Sequence, residues 1–277
     1  MHASPRGLAV VTCFVTACVG FGGRSVEDQP PPLPLALTFH PTIASYVSVS
    51  HRTIDRGIEG QARTEGTILR YRVTAEIARA DSAFDVTFVV DTVTQATASN
   101  IDAREIADAS GATFVGRMAP TGQLEVRRLR GARSPLLDQL VNQLRDFFPH
   151  LPPGGIRPGL VWVDTTEAPR EQGGAQLRVM AITRYGAREW EGQGPGATIR
   201  IDWEREYTVT GIGEQMSQPF SVRGTGSTSG VSSFSAEGTF LGSIRRDELH
   251  SKVLLESMGT TIQLRQTQSD TVRILTR

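Results

Sequence analysis

Three acidic side chains alternate along TIRIDWEREYTVT, residues 198–210: Asp202, Glu204 and Glu206. Their spacing of two places them on one face of a β-strand with Arg200, while Ile201, Trp203, Tyr207 and Val209 take the other face. Carboxylates grouped in this way could work as paired general acids and bases or hold a cation, which is the basis of a hydrolase reading. On a solvated face balanced by arginines of neighbouring strands, the same residues would blunt aggregation instead. Arg205 breaks the alternation, falling on the apolar face between Trp203 and Tyr207, where it stacks on an aromatic ring or marks the entrance to a cavity. GTGSTSG, residues 224–230, lacks the Lys-Ser/Thr of a phosphate loop. It also carries Thr228 where a nucleophile elbow needs serine, so it reads as a flexible hairpin or irregular edge. His40, His51, His150 and His250 show no ligand spacing of two or four on one element. No catalytic set is identified, and no residue pattern requires a metal or a cofactor.

The chain has two cysteines, Cys13 and Cys18, both inside the first apolar run. MHASPR carries one positive charge at Arg6, and Gly7–Ala17 then runs apolar or small for about eleven residues. That suits the central region of a signal peptide and falls short of the ~20 residues of a bilayer span. Val15-Thr16-Ala17-Cys18 resembles the lipobox of bacterial lipoproteins, whose cysteine is diacylated and becomes the mature N-terminus; Thr12-Cys13 fits it less well. The alternative is ordinary cleavage after Gly22 or Gly23 with Cys18 lost. With no thiol after Cys18, the exported chain could use neither disulfides nor a cysteine nucleophile. Val19 and Gly20 follow Cys18 without an aspartate, which implies an outer-membrane lipoprotein facing the periplasm.

These readings divide the chain into a signal peptide at 1–17, a lipidated Cys18 with a Pro-rich tether to residue 38, and a single β-rich domain at 39–277. RSVEDQPPPLPL (24–35) is polar and then proline-rich, a composition that stays extended. At 39% hydrophobic, the chain can bury a sizeable core. Its 29 basic and 29 acidic residues cancel, which disfavours a nucleic-acid partner. Lys252 is the only lysine, a bias from which no function follows.

Period-two alternation dominates from Tyr46 onward, at 46–50, 68–77, 84–93, 175–185 and 198–210, with further strands at 219–223, 231–241, 248–256 and 259–266. Two stretches break it. In SPLLDQLVNQLRDFF (134–148), Ser134 is placed as N-cap and Pro135 at the first helical position. Leu136, Leu137, Leu140, Val141, Leu144, Phe147 and Phe148 then share one helical face, and Pro149 ends the helix. Residues 98–110 form a weaker helical pattern. GATFVGRM at Gly111 and EGTFLGSI at Glu237 echo one another, as two similar halves meeting near 149–160 would. The order is several strands, a helix, a hairpin, a longer helix and some eight further strands. It predicts a mainly β (α+β) fold: a large curved antiparallel sheet or half-open β-barrel with one or two helices on its concave face.

In DFFPHLPPGGIRPGLVW (146–162), prolines end the helix, Gly159 permits a turn and Trp162 opens a strand. Phe148, Pro149, Leu151, Pro152, Gly159 and Trp162 resemble a junction of uncharacterised bacterial envelope proteins. With the signal, tether and strands, the chain is similar to the LolA-like and LppX-like lipoprotein-carrier superfamily, in which a half-open barrel lidded by helices holds acyl chains. The resemblance implies a non-enzymatic envelope lipoprotein, held to the membrane by its lipid anchor. It would bind a lipid or other hydrophobic ligand against Trp162, Trp203, Tyr207, Leu140, Leu144, Phe147 and Phe148. The alternatives are a structural or assembly lipoprotein with an envelope protein partner, and the hydrolase using Asp202, Glu204 and Glu206.

Overall fold

The computed structural model describes residues 33–58, 61–95, 101–128, 134–172, 175–215 and 218–275. Cys18 and most of the signal and tether lie outside the described residues. In chain order the strands are β1 (Thr42–Ile58), β2 (Gln61–Ala80), β3 (Ala83–Gln95), β4 (Thr113–Met118), β5 (Leu124–Arg128), β6 (Val161–Gln172), β7 (Ala175–Glu191), β8 (Thr198–Gln215), β9 (Gln218–Ser235), β10 (Phe240–Leu255) and β11 (Thr260–Ile274). Helix α1 (Ala103–Ala109) lies between β3 and β4, and α2 (Pro135–Arg145) between β5 and β6.

All eleven strands join one antiparallel sheet in the order β5-β4-β3-β2-β1-β11-β10-β9-β8-β7-β6. Two meanders, β1–β5 and β6–β11, therefore meet at the β1–β11 pair, and the chain crosses from one edge of the sheet to the other between β5 and β6. Helix α2 packs against both edge strands, β5 and β6. Eleven strands laid flat would span roughly 48 Å, whereas the 11 residues of α2 extend only about 16 Å. The sheet must therefore curl until its edges face each other across the helix. It is not closed into a barrel, and the expected half-open sheet with helices on its inner face is what forms.

Helix α2 begins as its sequence dictates: the Ser134 side chain accepts from the Leu137 backbone N–H, with Pro135 in the first turn. Its end comes earlier than the periodicity predicts. Asp146 is the C-cap, and Phe147 and Phe148 lie beyond the helix while still entering the core at 4% and 3% exposure. Of the weaker pattern at 98–110, residues 98–100 lie outside the described residues, and Ala103–Ala109 forms α1 with Asp102 as its N-cap. Six strands rather than some eight follow α2; residues 219–223 and 231–235, read as parts of two strands, belong to one, β9. The predicted strand 231–241 runs across the turn between β9 and β10, where Gly238 adopts φ +78° and the Ser235 backbone N–H donates to the Thr239 carbonyl.

The core fills one end of the curl. Tyr46, Phe88, Phe147, Phe148, Phe234 and Phe240 form a continuous aromatic cluster with ring centroids 5.0–6.2 Å apart, mostly edge to face. Leu136, Leu137, Leu140 and Leu144 of α2 seat against this cluster. Among the described residues, no helix is long and apolar enough to cross a membrane.

Candidate binding cavity

Strand register aligns inner-face side chains into rows across β6–β11 and β1. Just beyond the aromatic core, one row reads Ser50, Asp270, Arg245, Gly230, Trp203, Tyr185, Trp162. Two residues further along the strands, the next reads Arg52, Gln268, Asp247, Thr228, Arg205, Thr183, Asp164. From these two rows, Tyr185, Trp203, Arg205, Thr228, Arg245, Asp247, Gln268 and Asp270 line a cavity of 260 Å³ that Phe147 and Phe148 also border. Beyond them the inner face turns apolar, with Leu249 and Val209, then Leu177, Val222 and Val253, in successive rows. Val209 is buried, but Leu177, Val179, Val222, Leu249 and Val253 are only half-buried.

The glycines of GTGSTSG explain how the rings fit. The stretch is neither hairpin nor edge: it lies in the middle of β9, paired on both sides. A Cβ at Gly226 would overlap the Tyr207 ring, and one at Gly230 the Trp203 ring. Glycine here clears space for aromatic side chains of β8 to lie across the neighbouring strand.

The charges form three connected groups. Asp146, at the end of α2, meets the Arg170 guanidinium at 2.8 Å and that of Arg205 at 3.9 Å. Arg205 also donates to the Thr183 hydroxyl at 3.1 Å and lies 5.8 Å over the Trp203 ring, the stacking that was one of the two expectations for it. Burial alone would raise the Asp146 carboxyl, but the guanidinium groups of Arg170, Arg205 and Arg245 outweigh it and hold the pKa at about 2. The stability this ion contributes is present above the ordinary carboxylate range and is lost as pH falls toward 2. In the second group, Arg245 Nε donates to Asp270 Oδ2 at 2.6 Å and Gln268 donates to both oxygens of the same carboxylate. In the third, Asp247 accepts from Thr228 at 2.6 Å and from the Tyr207 hydroxyl at 3.0 Å.

Asp247 differs from the other two. Burial pushes its carboxyl above the ordinary range, and the hydrogen bonds from Thr228 and Tyr207 with the charge of Arg245 recover only part of the shift. A raised folded pKa means that the group's contribution is full below the unfolded value and is lost as pH rises through the folded one. Asp247→Asn keeps an acceptor for Thr228 and removes the buried charge. The variant is therefore expected to unfold at modestly higher urea than the parent at pH 7, with the gain vanishing near pH 4. A lower midpoint at pH 7 would show that the site needs the anion.

Of the residues singled out from the sequence, Trp203, Tyr207, Phe147 and Phe148 line this cavity. Trp162 stands beside it, stacked on Tyr185 at 4.9 Å with its Nε1 donating to the His150 carbonyl. Leu140 and Leu144 do not reach it; both are wholly buried in the core. Asp202, Glu204 and Glu206 lie on the outer face, where Arg188 pairs with Asp202 and Arg184 with Glu206 at 3.8 Å. These are exposed partners across β7 and β8, as expected of a solvated face. Sequence reasoning missed Arg245, Asp247 and Asp270. The β10 register shifts between Phe240 and Gly242, and Gly242 has φ +139°. This bulge flips the alternation, so counting by twos from Phe240 sends Arg246 and Glu248 inward in place of Arg245 and Asp247.

No family model matches the chain, and no curated protein matches it. Two crystal structures of Pseudomonas aeruginosa OccK2 (OpdF), the second in complex with glucuronate, align with 84% of this chain and 98% of their own at 7% and 10% identity. Both alignments have a TM-score of 0.26, a likeness too low to bear on what this chain does.

Proposed function

We propose that the protein is a non-enzymatic lipoprotein of the bacterial cell envelope, anchored through Cys18 at the outer membrane and facing the periplasm. Its half-open sheet binds a lipid or other amphiphile. The observation that carries the reading is the half-buried apolar inner face formed by Leu177, Val179, Val222, Leu249 and Val253, which continues into a cavity lined by Trp203, Tyr207, Arg205 and Asp247. Such a surface suits a ligand with an apolar stem and a polar group, because uncovered apolar rows cost free energy in water while the charged rows offer hydrogen bonds at one end. The resemblance of the 148–162 junction to one in uncharacterised bacterial envelope proteins, and that of the signal, tether and strand pattern to the lipoprotein carriers, supports the same assignment. Leu140 and Leu144 take no part in the binding surface.

Native mass spectrometry of the exported chain, purified without detergent from a periplasm, tests this. A defined mass excess that organic solvent extracts as lipid is expected, with its amount reduced in Trp203→Ala. A clean apo mass that added lipid does not change would overturn the reading. It would shift weight to a structural lipoprotein with a protein partner, for which the exposed Val161, Val163, Met180 and Ile182 on the outer face of β6 and β7 are the relevant surface.

A further inference from the structure

A second cavity lies at the other end of α2. It has a volume of 510 Å³ and sits between the inner face of β1 and β2 and the start of the helix. Register places Arg52, Arg56 and Arg63 on this face, with Arg56 opposite Arg63 and Arg52 two same-face positions nearer the core, beyond Ile54. Glu65 meets Arg56 at 3.4 Å and Arg63 at 3.3 Å. The only other carboxylate in the lining, Glu105, accepts from the Leu136 backbone N–H at 3.3 Å and is thus engaged at the helix start. Arg52 has no hydrogen bond and no ion pair among the described residues. Its opposite wall is apolar, formed by Leu69, Leu136 and Ile101.

Three guanidinium groups around two carboxylates leave a net positive cavity in which the innermost cation is unpartnered. We propose that this cavity binds an oxyanion, the phosphate or carboxylate group of a ligand whose apolar part lies on Leu69, Ile101 and Leu136. Guanidinium is the side chain suited to this task, since its planar fork donates two parallel hydrogen bonds to phosphate or carboxylate oxygens. Burial, followed by the adjacent charge of Arg56, lowers the pKa of Arg52, with Glu65 offsetting part of the effect. A bound anion would relieve that unfavourable arrangement. The site is distinct from the cavity at the far end of α2, and its occupancy does not depend on a ligand there.

Isothermal titration of the full mature chain tests it with three probes: inorganic phosphate, dodecyl phosphate below its micelle concentration, and dodecyl maltoside. Dodecyl phosphate is expected to bind at least tenfold more tightly than dodecyl maltoside, and Arg52→Gln is expected to remove that preference while Arg52→Lys keeps part of it. If inorganic phosphate binds alone with the same dependence on Arg52, the site takes a free oxyanion; if only dodecyl phosphate does, it takes the headgroup of an amphiphile. Equal binding of the two detergents, unchanged by Arg52→Gln, would overturn the proposal while leaving the apolar inner face of β6–β11 as a binding surface. Failure of all three probes to bind would overturn it as well. Arg63→Gln, whose side chain is 76% exposed, supplies a second variant if Arg52→Gln does not fold.

Discussion

Arg245→Met is expected to cost about 3–5 kcal/mol of folding stability, the range for removing one member of a buried ion pair. The physical cause lies in its partner. Asp270 is only 5% exposed, and burial would raise its carboxyl; the Arg245 guanidinium, with hydrogen bonds from Ser50 and Gln268, reverses this and holds it below the ordinary range. Without the guanidinium, an anion remains in a place that cannot solvate it. For a domain of this size, the loss would lower the melting temperature by on the order of 10 °C. Two controls make the origin clear. The deficit should shrink toward acid pH, where Asp270 takes up a proton, and Arg245→Met with Asp270→Asn should recover most of it, because the offending charge has gone. Urea unfolding of both variants at pH 7 and pH 4 measures these effects. A single variant within 1 kcal/mol of the parent would show that water already reaches Asp270.

Phe147→Ala is expected to be comparably damaging, at about 3–5 kcal/mol, through a cavity in the core rather than through charge. Phe147 is the hub of the aromatic cluster, with ring centroids 5.2 Å from Tyr46, 5.5 Å from Phe88, 5.0 Å from Phe148 and 5.7 Å from Phe240. Each edge-to-face pair adds about 0.5–1.5 kcal/mol beyond buried area, so the variant should fall toward the upper end. Phe147→Leu, which refills most of the volume, should cost clearly less. Equilibrium unfolding in urea distinguishes the two, and equal midpoints would mean that the cluster collapses to fill the void.

The strands were legible because their inner and outer residues see different media: AQLRVMAITRY alternates since one face meets the core and the other meets water. The start of α2 was legible because Ser134 and Pro135 act locally on backbone groups one turn away. Its end was not, since Phe147 and Phe148 satisfy the same hydrophobic demand from a turn as they would from another helical turn, and periodicity cannot tell these apart. GTGSTSG misled for a related reason. The physical reason for Gly226 and Gly230 is the pair of rings at Tyr207 and Trp203 on the adjacent strand, and nothing within the stretch itself announces them. The ion network was hidden by register: Arg245 and Asp270 are partners across a strand pair, and the bulge at Gly242 reverses the parity that would have pointed Arg245 inward. The arginine cavity was equally illegible, because Arg52, Arg56 and Arg63 come together only when β1 folds back along β2.

The order of strands also dictates when the molecule can be finished. Residues 46–57 of β1 are bonded on one side to β2, which follows at once in the chain, and on the other to residues 263–274 of β11, which is made after every other strand. Until β11 arrives, two independent meanders each carry a long open edge, and joining them closes a loop of some two hundred residues. Such distant pairing makes folding slow and leaves the β1 edge available to other extended chains in the interval. The sheet therefore cannot be completed before the last strand docks on the first, and the seam between the meanders is the pairing of longest sequence separation in the molecule.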